Sequence, residues 1–124
     1  MWIFTTSGFI SAVSNSDGTL KVRARDKASL KGLAKTFKVE IEHTPVADYP
    51  YRVVLGHDQF AEWVDFQARA IDYNNFKSAV ALTRGKGFAS ALSEVWSTMH
   101  RIEDSLARST RPETTRKGPE QYGD

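Results

Sequence analysis

Apolar and polar positions alternate with period two in some stretches of this chain and with period 3.6 in others, and the switches between them mark its elements. Residues 2–13 gather Trp2, Ile3, Phe4, Phe9, Ile10 and Val13 with two threonines, the composition of a strand. Gly8 interrupts the run. A glycine there signals a bulge, a bend or a tight hairpin, and we read one long bent strand. Asn15-Ser16-Asp17-Gly18 is a turn signal, and residues 19–25 then alternate, with Leu20, Val22 and Ala24 on one side and Lys21, Arg23 and Arg25 on the other. Asp26 is placed to cap a helix over residues 27–38, whose apolar stripe is Leu30, Leu33, Ala34 and Phe37.

A second cycle follows. Val39, Ile41 and His43 alternate with Glu40, Glu42 and Thr44, a third strand. Residues 45–50, bounded by prolines, are a loop, residues 51–55 a fourth strand, and Asp58 caps a helix to about residue 71 with Phe60, Trp63, Val64 and Ile71 inward. Two further helices, 74–83 and from Gly87 or Phe88 to about Arg108, meet at Gly85-Lys86-Gly87; Asp72 is the expected cap of the first. The order ββαββα(αα) predicts an α+β fold. Its expected architecture is a ferredoxin-like sandwich, a four-stranded sheet with helices on one face and a right-handed β-α-β crossover. Residues 1–108 are read as a single domain. Residues 109–124, polar and holding Pro112, Gly118, Pro119 and Gly123, are read as a disordered tail.

The last helix carries a second signal. Phe88, Leu92, Val95, Met99, Ile102 and Leu106 are spaced 4, 3, 4, 3, 4, a heptad seam with Trp96 beside it. That seam is either core or the interface with a protein partner or a second copy, and a homodimer is the expected use.

Charge adds a second candidate surface. The chain of 124 residues has a net charge of only +2, but residues 1–39 carry seven lysines and arginines against two carboxylates, and residues 40–72 carry two against seven. Lys21, Arg23 and Arg25 on the second strand, with Lys31 and Lys35 on the stripe of lysines along the first helix, form a basic set suited to nucleic-acid phosphates. Aromatic residues such as Trp2 and Phe4 on the sheet would add stacking.

Bond-making chemistry finds little support. The absence of cysteine excludes thiolate metal sites, disulfides and cysteine nucleophiles. The three histidines, His43, His57 and His100, fall in separate elements without metal-ligand spacing. Gly85-Lys86-Gly87 lacks the spacing of a phosphate loop, and no serine sits in a Gly-x-Ser-x-Gly elbow. No catalytic residue, metal or cofactor is therefore expected. A small-ligand pocket lined by Trp63, Tyr73 and Trp96 is a third reading. No apolar run is long enough to span a bilayer, and the opening Met1-Trp2-Ile3-Phe4-Thr5-Thr6 lacks the basic stretch of a signal peptide, so the expected location is the cytoplasm.

Three segments, Met1-Trp2-Ile3-Phe4-Thr5, Asp72-Tyr73-Asn74-Asn75-Phe76-Lys77-Ser78 and Glu94-Val95-Trp96-Ser97-Thr98-Met99, are similar to segments found in the same order in a family of short uncharacterised bacterial and phage proteins that open Met-Trp-Leu-Phe-Thr. The chain resembles that family over most of residues 1–102 and departs from it in its longer tail. The resemblance implies a shared α+β fold and brings no catalytic residue or cofactor. The combined expectation is a small non-enzymatic protein-interaction module of bacterial or phage origin, acting as a homodimer or as a host-directed regulator. The alternative is a nucleic-acid-binding protein.

Overall fold

The chain reverses direction at Thr6-Ser7, after only one short strand. In the computed structural model, which describes residues 1–110, β1 (Trp2–Thr5) and β2 (Gly8–Ser14) form a hairpin with Thr5 opposite Gly8. The single bent strand read from residues 2–13 is thus two strands. Gly8 has φ +141°, in the region that favours glycine, and Thr5 Oγ1 accepts from Ser7 N–H at 3.0 Å across the turn. The five residues 15–19 then lead into β3 (Leu20–Ala24), with Gly18 at φ +92° and Asp17 accepting from Thr19 N–H at 2.9 Å.

α1 (Ala28–Phe37) starts where Asp26 Oδ1 accepts from Ser29 N–H, and it ends at Lys38, a left-handed residue with φ +55°. Val39 N–H turns back to Ala34 O at 3.1 Å. That closure uses up the start of the expected third strand, so β4 is only Glu42–His43. β5 (Tyr51–Leu55) follows, and then α2 (His57–Arg69), whose N-terminus is closed by Gly56 N–H donating to Gln59 Oε1 at 2.8 Å rather than by Asp58. α2 stops before Ile71, which is exposed instead of facing inward. α3 (Phe76–Arg84) is capped by Asn75, whose Oδ1 accepts from Ser78 N–H at 2.9 Å; the cap expected at Asp72 lies three residues too early. α4 (Lys86–Thr110) begins directly after Gly85 and takes in the first two residues of the region read as tail. Residues 111–124 of that region lie outside the described residues.

The fold is α+β: among the described residues an open five-stranded antiparallel sheet in the order β1-β2-β3-β5-β4 and four helices stand in place of the four-stranded ferredoxin-like sheet expected. The fifth strand is the one gained by splitting residues 2–13. β5 runs antiparallel to both β3 and β4, so the step from β3 through α1 to β4 joins two parallel strands with β5 between them. The core forms where α1 and α2 meet one face of the sheet: Leu30, Leu33, Phe60 and Trp63 pack with Ile10, Val22, Val53 and Leu55. The chain divides into two units, Met1–Ala89, which holds the sheet and α1–α3, and a second beginning at Ser90, which among the described residues is the body of α4.

Candidate functional site

Period two assigns every strand residue to one of two sheet faces. Ile3, Ile10, Ala12, Leu20, Val22 and Val53 belong to the core face. The other face carries a cross-strand row fixed by register, Trp2–Ser11–Arg23–Arg52–Glu42. Beside it stand the pair Phe4–Phe9 and the row Val13–Lys21–Val54. Trp2 is 68% exposed, and Val13 and Val54 are also exposed.

The aromatic rings on this outer face contact one another. Phe4 and Phe9 stack at 4.6 Å between centroids, and Trp2 meets Phe9 edge-on at 5.6 Å. Tyr49, from the loop before β5, folds over the same face at 6.4 Å from Phe9. The guanidiniums of Arg23 and Arg25 stand 4.4 and 4.3 Å from its ring centre, and the residue is 6% exposed.

The cations differ in how they are satisfied. Arg25 Nη1 donates to Asp48 O at 2.6 Å and to Asp48 Oδ1 at 3.1 Å, and Arg52 approaches Glu42 at 3.9 Å and donates to Thr44 Oγ1 at 2.9 Å. Arg23 Nη2 donates to Ser11 Oγ at 2.8 Å, while its buried Nε has no acceptor. Among the described residues no carboxylate pairs with Lys21 or Arg23.

The basic set read from the sequence is therefore divided. Lys21, Arg23 and Arg25 share the outer sheet face. Lys31 and Lys35 lie on the solvent side of α1, whose buried side (Leu30, Leu33, Ala34) covers the opposite face of the sheet, so the five do not form one surface. Tyr49 and Phe9 were missed as site residues. Tyr49 sits in a proline-bounded loop with no periodicity, and Phe9 was hidden inside the unsplit strand. Arg52 was legible: the alternation Tyr51-Arg52-Val53 already sets it opposite the core.

The heptad seam lies on α4. Leu92 is buried, Val95, Met99, Ile102 and Leu106 are 40–57% exposed, and Trp96 is 59% exposed. His100 Nδ1 lies 3.5 Å from Asp104, one turn on, and its ring meets that of Trp96 at a tilt of 38°, with centroids 5.2 Å apart. Arg101 donates to Thr98 Oγ1 at 3.1 Å.

No family model, curated protein or solved structure matches this chain.

Trp63 lines a cleft of about 320 Å³ between α1 and α2, with Leu33, Phe37 and Phe66. Tyr73 lines separate clefts beside β1 and α3, and Trp96 belongs to α4. His43 stacks on Tyr51 at 4.4 Å, His57 opens α2 and His100 is on α4. Among the described residues no three His, Asp or Glu side chains cluster to hold a metal ion, and no helix is long and apolar enough to cross a membrane.

Proposed function

We propose that the chain acts by recognition rather than bond-making, as an interaction module that pairs with a second copy of itself through α4. The observation that supports this reading is the exposure of the seam. Leu92, Met99 and Leu106 take the a positions of a heptad and Val95 and Ile102 the d positions; from Val95 onward every one of them meets solvent. A helix of 25 residues is about 37 Å long, enough for a paired contact but too short a seam to be stable alone, so the sheet unit would supply the rest of the protomer's stability. The flanking e and g positions between Ala91 and Ser105 hold a single charge, Glu103, and Trp96 widens the apolar strip. Pairing therefore meets little like-charge repulsion. An apolar stripe of this extent on a water-facing helix marks a surface that a partner covers.

Size-exclusion chromatography with light scattering tests the reading. At high micromolar concentration the expected mass is twice the chain's 13.9 kDa. Met99→Glu with Ile102→Glu, both at exposed positions, should return the protein to one chain while its circular dichroism stays unchanged. A wild-type monomer under those conditions would overturn the reading.

A further inference from the structure

We propose that the outer face of the sheet binds single-stranded nucleic acid, with Trp2 and Phe4 as a stacking platform and Lys21 and Arg23 as the phosphate contacts. This surface shares no residue with the α4 seam, and the proposal does not depend on the chain being a dimer.

Charge is the first argument. Of the four cations on this face, Arg25 and Arg52 are matched by Asp48 and Glu42. Lys21 and Arg23 have no carboxylate among the described residues, so the face carries two uncompensated positive charges and is complementary to an anion. Arg23 is also held in place. Its Nη2 is tied to Ser11, its Cζ lies 4.4 Å over the Tyr49 ring centre, and its side chain is half-buried in the row. A guanidinium fixed in this way loses little further freedom when it takes a phosphate oxygen.

The aromatic residues narrow the class of anion. Trp2 is braced edge-on by Phe9, which leaves an indole 68% exposed on the row that holds Arg23. Trp2 and Arg23 sit two strand spacings apart, about 10 Å at the backbone. A base on Trp2 would bring the adjoining phosphates toward Arg23, since Ser11 between them is buried. An acidic peptide would use the cations and leave the indole uncovered. Every base has a π-face that can cover it, and this is how sequence-tolerant single-strand binders gain affinity. Paired bases keep their faces inside a duplex, so the occupant is a single strand.

The experiment is fluorescence anisotropy of the full chain with a fluorescein-labelled oligothymidylate of about 12 nucleotides. Its matched duplex and polyglutamate serve as competitors, at about 50 mM salt and above. Binding of the single strand in preference to both competitors is expected. Trp2→Ala should weaken it about tenfold. Lys21→Ala should weaken it and reduce the slope of log affinity against log salt by about 0.7. Lys31→Ala with Lys35→Ala, on the other layer, should leave affinity within about twofold, since they touch no phosphate in this geometry. Trp2 and Lys21 are not core residues, and circular dichroism of each variant checks that it is folded. The proposal is overturned by absence of binding at low salt, by a duplex or polyglutamate competing as well as the single strand, by indifference to Trp2→Ala in a folded variant, or by dependence on Lys31 and Lys35 instead.

Discussion

Arg84 Nη1 and Ser29 Oγ hydrogen-bond at 3.2 Å, and a β-carbon built on Gly8 would fall 2.1 Å from that hydroxyl and 2.5 Å from that nitrogen. The pair joins three parts of the sheet unit. Arg84, at the end of α3, also donates to Ser7 O at 2.6 Å in the β1–β2 turn and pairs with Asp26 before α1. Ser29 donates to Asp26 Oδ1 and accepts from Phe9 N–H. The turn, the helix start and the end of α3 therefore meet on a spot where only a hydrogen fits.

Gly8→Ala should for this reason be among the most damaging single methyl additions in the protein. It combines a left-handed φ with two contacts far inside van der Waals range, so a loss of about 2–4 kcal/mol is expected in urea denaturation. Gly18→Ala has a similar φ but open space around it, and should cost only the backbone strain, about 1 kcal/mol.

The same junction makes stability depend on acid. Burial disfavours the charged form of Asp26. The hydrogen bonds from Ser29 and Arg84 and the Arg84 charge outweigh that effect and hold the carboxyl below its ordinary value of 3.8. A carboxyl whose folded pKa lies below its unfolded one contributes stability above the unfolded value and loses it as pH falls through the folded one. Unfolding free energy measured from about pH 6 to pH 2 should therefore separate wild type from Asp26→Asn at the upper end and bring them together at the lower. The gap should be modest, because the carboxylate is 44% exposed. A constant difference at every pH would show that the ion pair is not its source.

Much of this fold was legible because burial follows period. The stripe Leu30, Leu33, Ala34 and the alternation Leu20, Val22, Ala24 are the core in fact, and the seam positions on α4 do lie along one helix. The missed features are those set by contacts distant in sequence. Gly8 reads equally as a bulge or a turn until Ser29 and Arg84, 21 and 76 residues away, are brought against it. The lysines of α1 and the cations of β3 look continuous along the chain, yet a helix packed on one sheet face presents its polar side away from the other. Tyr49 carried no pattern at all.

Cap assignments were decided within a few residues, and they can be checked directly. Asn75 holds Ser78 N–H, so Asn75→Ala should cost about 1 kcal/mol. Asp72 lies three residues earlier, outside the cap of α3, and Asp72→Ala should stay within about 0.5 kcal/mol of wild type. Equal losses in thermal or urea unfolding would mean that Asp72, too, supports α3.

Tyr49 makes the sharpest contrast between sequence position and structural weight. It belongs to a loop, where truncation is usually mild, but its ring is buried between Phe9 and two guanidiniums. Tyr49→Ala removes an aromatic ring from a closed site and leaves the Arg23 and Arg25 planes without their stacking partner. A loss of about 3 kcal/mol is expected. Tyr49→Phe keeps the ring and should cost less than about 1 kcal/mol, because the stacking survives. Val46, 93% exposed in the same loop, should tolerate alanine with no measurable change. If denaturation midpoints for Tyr49→Ala and Val46→Ala coincide, the ring is not holding the loop to the sheet, and the fixed orientation of Arg23 needs another cause.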